Sequence, residues 1–370
     1  MKTYFLDKNK TQALHGLAIL MMIYHHLFVY SNNWCITKGT SIFDIFNGIN
    51  FLGKADTFQI TVACFCKICV AVFAFTSGYA MYIQLDRRSD DHIDLKKLYK
   101  YCFARLFSFY KKFLLCFLFV TICDILMGKQ YGFDYSLPNY LLNMLGLKSD
   151  YNATWWYVVI YYCMVLISPI VYSLLNEKFD KRKVLLVCVI FLSAVIIYFT
   201  YGLIINDFAH YIKMASKIVQ SALYVYTLIF IEGMLCVHYG IFEKLSERIN
   251  LFGFVIILFI TFLLRVVLIR IPSDPIFDVL LIMPFVFSVS VILDKLSLLT
   301  SVYRYFGKYS TYMWYLHAYF YAYLFYDLVK QSDYSVVVYL QVVFYSLTAA
   351  IAFTYFEKGI NSVINLKKAK

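Results

Sequence analysis

Apolar stretches of bilayer-crossing length recur along the whole chain, separated by short polar connections. Ten are expected, at 14–32, 59–83, 103–126, 154–176, 184–204, 218–239, 251–271, 276–293, 310–328 and 334–355. Each is near the roughly 20 residues that a helix needs to cross about 30 Å of hydrocarbon. Inside lipid the backbone must satisfy its own N–H and C=O groups, which makes such runs helical. The pattern predicts an all-α fold, a polytopic transmembrane helix bundle of about ten spans. Segment 40–58 is ambiguous: Ile42, Phe43, Ile45, Phe46, Phe51 and Leu52 fit an interfacial helix or an eleventh crossing. The longest connections, 33–58 and 127–153, are too short for a catalytic domain. Residues 1–370 therefore read as a single membrane-embedded domain with no separate soluble domain, and any chemistry rests on polar residues within the bundle or at its edges.

Composition excludes a soluble alternative. Of 370 residues, 62% are hydrophobic and 15% charged, whereas soluble domains carry about 25% charged residues. No small-residue cleavage site follows the first apolar run, so it is expected to be a span rather than a removable leader. The formal net charge of +12 raises nucleic acid as a partner, but its distribution argues against one. Basic residues gather in alternate connections: Lys2, Lys8 and Lys10; Arg87 to Lys112; Lys178 to Lys183; and Lys358 to Lys370. With ten spans these all share one side, which the positive-inside rule makes cytoplasmic. The expected location is the plasma membrane, multi-pass, both termini cytoplasmic, with membrane lipids as partners of the surplus charge. Most of the ten cysteines sit inside apolar runs. Cys64, Cys66 and Cys69 share one helix with no second cluster to complete four ligands, so they read as packing residues and no metal is expected.

Polar residues inside the spans carry the functional signal. The first span holds His15, His25 and His26. His15 and His26 are almost three turns apart, on one face and roughly 16 Å from each other, while His25 points about 100° away from His26. A hydrogen bond between helices accounts for such a histidine as readily as catalysis does, above all for His25. Asp124, Glu232, Arg265 and Arg270 lie near helix ends, and Arg270 is expected to pair with Asp274 or Asp278.

Leu14-His15-Gly16, an apolar run and then Tyr24-His25-His26 resemble the opening helix of the acyltransferase 3 family. These are integral membrane enzymes that move acyl groups, commonly acetyl, onto sugars and cell-surface polymers. Their first helix reads Leu-Arg-Gly, a short apolar run and His, so His26 falls on the family's histidine. Further matches follow in the family's order: Phe73 to Tyr79, with Ser77-Gly78; Thr154-Trp155-Trp156-Tyr157 with Pro169; Phe230 to Met234; Gly307 to Tyr312 with Tyr315-Leu316-His317; and Glu357-Lys358. The likeness covers nearly the whole chain. There are two departures. His15 stands where the family has Arg or Lys, with Lys10 as a candidate substitute. In the third helix Arg105 matches the first arginine of an Arg-x-x-Arg pair, but Ser108 stands at the second, leaving Lys111 or Lys112 to supply that charge.

The resemblance implies an O-acyltransferase. Its donor substrate would be acetyl-CoA or another acyl-CoA, its acceptor a glycan or lipid-linked sugar, and polysaccharide biosynthesis proteins would be further partners. Elementary chemistry points the same way. Acyl transfer to a hydroxyl needs a base that titrates near neutrality, for which His26 is expected, with His317 as its partner. A phosphorylated thioester needs cations; His15, Arg105 and Lys111 are the expected donor-binding residues. Trp155, Trp156 and Ser77 are expected to bind the acceptor, the tryptophans by packing on sugar faces unless they are interfacial anchors. The rival reading is a transporter of a sugar or lipid-linked substrate without bond formation, which an embedded histidine also suits. Topology is open to direct test. Single cysteines replacing Lys148 and Arg182 should react with an impermeant maleimide from opposite sides of the membrane, and labelling of both from outside would overturn the ten-span arrangement.

Overall fold

The computed structural model describes residues 4–30, 57–89, 93–176, 209–268, 276–331 and 334–368. All regular structure among them is helical. The helices are α1 (Lys8–His25), α2 (Thr57–Phe65), α3 (Cys69–Asp86), α4 (Leu95–Leu126), α5 (Leu137–Met144), α6 (Tyr157–Leu175), α7 (Ala209–Tyr239), α8 (Ile241–Ser246), α9 (Leu251–Leu268), α10 (Ile276–Lys295), α11 (Ser297–Tyr319), α12 (Tyr326–Gln331) and α13 (Ser335–Lys368). Short 3₁₀ turns join α2 to α3 (Cys66–Ile68) and open α6 (Ala153–Trp156). Two π turns continue α1 and α11, at His26–Tyr30 and Phe320–Leu324. Side-chain caps start α1 and α4: Asp7 accepts from the Lys10 N–H at 2.8 Å and Asp94 from the Lys96 N–H at 2.9 Å, each satisfying an amide the helix cannot.

Six of the described helices are long and apolar enough to cross a membrane: Thr61–Asp86, Leu95–Leu126, Ala153–Leu175, Ala222–Tyr239, Phe277–Lys295 and Ser335–Ser362. This makes a multi-pass helical membrane protein, with fewer such helices than the ten expected. Two of the other expected spans, 14–32 and 310–328, begin on α1 and α11, whose lysines, histidines and tyrosines dilute their hydropathy. The expected span 251–271 falls on a shorter apolar helix, Leu251–Val266. The expected span 184–204 and the ambiguous segment 40–58 lie outside the described residues.

The polar helices are tolerated because they are central. Ala13, Leu14, Gly16, Ala18, Ile19, Met22, Ile23 and His25 of α1 are buried, as are Tyr312 to Tyr319 of α11. The apolar surface is peripheral: α4 exposes Phe103, Phe107 and Ile122, α9 exposes Phe252 and Phe259, and α13 exposes Leu340 and Phe344. The bundle thus carries apolar residues on its surface as well as in its core, with its more polar helices α1 and α11 packed inside.

Two glycine crossings set the central packing. A Cβ on Gly16 would overlap the Tyr303 carbonyl of α11, and one on Gly307 would overlap the Gln12 carbonyl of α1. Gly78 of α3 and Gly233 of α7 stand in the same reciprocal relation to the Phe230 and Phe75 carbonyls. Small residues at such crossings let backbones approach closely, the main source of attraction between helices in lipid. On the periphery, Arg265 of α9 grips Asp278 of α10, Nε to Oδ1 at 2.7 Å and Nη2 to Oδ2 at 3.3 Å, with both side chains buried. This corrects the expected pairing: the partner of Asp278 is Arg265. Arg270 and Asp274 lie outside the described residues.

Gly16→Ala should destabilise the protein by about 3 kcal/mol, the upper range for overpacking, because the obstacle is backbone and cannot swing aside. Gly359→Ala, where a Cβ meets nothing within 4 Å, is the control. A melt by intrinsic fluorescence that fails to separate the two variants would refute the crossing.

Candidate active site

Five elements enclose a cavity of about 160 Å³ at the centre of the bundle. Helix α1 and its π turn contribute His15, Met22 and His26; α3 contributes Val70, Phe73 and Ser77; α4 contributes Arg105 and Phe109. The turn opening α6 supplies Thr154 and Trp156, α6 itself Tyr157 and Tyr161, and α11 supplies Ser310, Thr311 and Trp314. Within α1, α3, α4 and α6 the contributions fall three, four or seven residues apart, so each of these helices turns one face inward, while α11 adds the adjacent pair Ser310 and Thr311 together with Trp314. His26 and Arg105 therefore border the same space.

Behind His26 stands His317. His26 Nδ1 and His317 Nε2 are 2.7 Å apart. The ring planes differ by 8° with centroids 5.0 Å apart, near the greatest separation that this nitrogen contact permits, so the rings meet edge to edge in almost one plane. On its other side His317 Nδ1 lies 2.8 Å from the Trp314 carbonyl and 3.2 Å from that of Met313. Carbonyl oxygens only accept, so Nδ1 of His317 carries the proton, and the neutral ring keeps its lone pair on Nε2. His26 Nδ1 must then be the donor. The lone pair of neutral His26 is left on Nε2. A π turn begins at His26 itself and another begins three residues after His317; π turns are rare and concentrate at functional sites.

His25 has a different task. Its Nδ1 donates to the Ala63 carbonyl at 2.8 Å, and the residue is buried, tying α1 to α2. His15 lines the cavity, its Nε2 lying 2.8 Å from Thr76 Oγ1. The Thr76 hydroxyl donates to the Val72 carbonyl at 2.7 Å, so it accepts from His15. A neutral His15 therefore offers Nδ1 as an acceptor, the opposite of the expected cationic contact. Lys10 does not compensate, being paired with Asp294 at 2.8 Å and placed over Phe5.

Arg105 is held by phenols rather than carboxylates. Its Nε donates to Tyr161 Oη at 2.8 Å and its Nη1 to Tyr101 Oη at 3.4 Å. No carboxylate pairs with it among the described residues. Sequence reasoning did not find Tyr161 or Thr76, whose roles depend on helix contacts. Tyr101, one turn before Arg105, was open to it.

The neighbouring tryptophans divide. Trp156 lines the cavity. Trp155 is fully buried, its indole N–H donating to the Tyr315 carbonyl at 2.9 Å, an oxygen that Asn152 Nδ2 also contacts at 3.1 Å. Neither an interfacial anchor nor a sugar platform, Trp155 fastens the 153–156 turn to α11 two residues before His317. Ser77 lines the cavity. Lys111 is exposed, its ammonium over the Phe107 ring, and borders no described cavity. Six residues from Arg105 is not a whole number of helical turns, so it points elsewhere. Among the described residues, no group of three or more His, Cys, Asp or Glu side chains is placed to hold a metal.

The sequence model of the acyltransferase 3 family, described as an acyltransferase domain, matches residues 10–355. The chain belongs to this family. No curated protein and no solved structure matches it. Membership assigns this acyltransferase 3 protein the general chemistry of acyl transfer, and the match spans every residue that lines the cavity.

The tautomer assignment is measurable. In ¹⁵N-histidine solid-state spectra, His26 and His317 should both appear as the Nδ1–H form at neutral pH. His317→Phe should release His26 into a mixture of tautomers. A His26 signal of the Nε2–H form in the unmodified protein would reverse the direction of the pair.

Proposed function

We propose that the protein transfers a short acyl group, acetyl above all, from acetyl-CoA or another acyl-CoA to a hydroxyl of a cell-surface glycan or lipid-linked sugar. The observation that carries this reading is the placement of a base, and of a cation with no carboxylate partner among the described residues, on one cavity: the His26 imidazole, oriented by His317, and the Arg105 guanidinium. A transporter has no need to fix the tautomer of a single imidazole through a second histidine and two backbone carbonyls.

His26 is the catalytic base. As the acceptor oxygen attacks the thioester carbonyl carbon, its proton passes to His26 Nε2. The C–S bond then breaks, and the proton moves from His26 to the departing thiolate, leaving an ester and free CoA. His317 is a positioning residue. Its Nε2 lone pair faces the His26 Nδ1–H and strengthens that hydrogen bond as His26 becomes cationic. Arg105 binds the donor, through a planar fork of donors suited to phosphate. Ser77 and Trp156 face the acceptor, the indole offering an apolar face to a sugar ring. With ten spans and both termini cytoplasmic, Arg105 follows Lys96, Lys97 and Lys100 on the cytoplasmic end of α4, where cytoplasmic acyl-CoA enters. The acyl group then travels toward His26 and the outer face.

The test is release of free thiol from labelled acetyl-CoA by purified protein, with and without acceptor glycan. His26→Ala should lower the rate about 10²-fold or more, the usual scale for losing a positioned acid–base group, while remaining inserted in the membrane. His25→Ala, whose ring serves a carbonyl on α2, should lose far less. Full transfer by both variants, or no thiol released from any acyl-CoA by the unmodified protein, would hand the site to the transporter reading.

A further inference from the structure

A second, open cavity of about 460 Å³ shares Arg105, Phe109, Tyr161 and Thr311 with the first. Its remaining walls include Ser108 and Lys112. Residues 105, 108 and 112 stand at i, i+3 and i+7, one face of α4. That face presents two cations, and among the described residues no carboxylate lines the cavity.

The surroundings of Lys112 are those of a cation with a replaceable partner. Its Nζ lies 3.9 Å from Glu357 Oε2, and both side chains are partly exposed. The same Glu357 oxygen accepts from Tyr312 Oη at 2.9 Å, a stronger contact that keeps the carboxylate in place without the lysine. The ammonium sits 5.7 Å from the centre of the Tyr312 ring. A loose, solvent-reached ion pair of this kind stabilises little, so a phosphate displaces it at little cost. Among the described residues the inner cavity offers no cation besides Arg105, which stands on the shared wall: His15 presents an acceptor, and Lys10 is paired with Asp294.

We propose that Lys112 is a phosphate-binding residue for the nucleotide of the acyl donor, acting with Arg105 across two turns of α4, and that Glu357 is the counter-ion it exchanges for phosphate when the donor binds. This rests on the acyl-CoA reading and fixes on Lys112 the charge that the sequence leaves open between Lys111 and Lys112.

Binding of adenosine 3′,5′-bisphosphate, measured calorimetrically on the purified full-length protein, tests it without turnover. Lys112→Ala should weaken binding about tenfold, the scale of one charge-assisted phosphate contact, and Lys112→Arg should restore it. Glu357→Gln should tighten binding, since it removes the competing anion. Three results would each overturn the proposal: no binding by the unmodified protein, unchanged binding by Lys112→Ala, or weakening by Glu357→Gln equal to that of Lys112→Ala, which would mark the pair as a strut between α4 and α13. The thiol-release assay separates this from the wider reading. Normal thiol release with a silent Lys112→Ala removes Lys112 and leaves acyl transfer standing; probe binding through Lys112 without thiol release does the reverse.

Discussion

Helices α1 and α11 lie backbone against backbone because neither has a side chain at the point where they cross. Gly16 meets the Tyr303 carbonyl and Gly307 meets the Gln12 carbonyl, and from each glycine it is ten residues to the histidine of the pair. The equal offsets mean that two helices running in the same direction bring His26 and His317 to the same level. The 2.7 Å contact between the rings is therefore a product of the crossing as much as of the histidines. The buried aromatic run of α11, the turn fastened to it by Trp155 and Asn152, and the cavity wall carried by that turn all inherit their position from this approach.

With water scarce, hydrogen-bond inventory separates structural polar residues from chemical ones. His25 places Nδ1 on the Ala63 carbonyl, Arg265 is clasped by Asp278, and Trp155 puts its single donor on the Tyr315 carbonyl. His15 and Arg105 do not close their inventories this way. One rests on a threonine hydroxyl and the other on phenols, none of which neutralises charge. A guanidinium in a membrane protein with no carboxylate partner among the described residues is costly, and its place at the wall of a cavity supports the anion-binding role proposed for it.

Much of this was legible in the sequence. The helical class follows from the length of the apolar runs, and the placement of His15, His26, Ser77, Arg105 and Trp156 on one cavity was accessible through spacing and family order together. The failures have physical causes. The expected ten spans include 14–32 and 310–328, but α1 and α11 are central helices whose lysines, histidines and tyrosines keep them below the hydropathy of the six described membrane-length helices. Trp155 and Trp156 are indistinguishable by type and differ only in which way a 3₁₀ turn points them. Lys111 and Lys112 differ by one position, and helical phase alone puts the second beside Ser108 and Arg105. The partner of Asp278 is set by the pairing of α9 with α10, a tertiary fact that proximity along the chain misrepresents.

Arg105 borders both cavities, and this has a bearing on leakage. A protein that hands a group across an energised bilayer carries wet space deep into its interior, and a continuous file of water there would conduct protons. Any such file between the two cavities runs past a guanidinium that stays charged at every physiological pH. A fixed positive charge beside a narrow water passage repels hydronium, as it does in water-selective pores. Under the proposed function, the residue assigned to the anionic end of the donor would also insulate the membrane around the reaction.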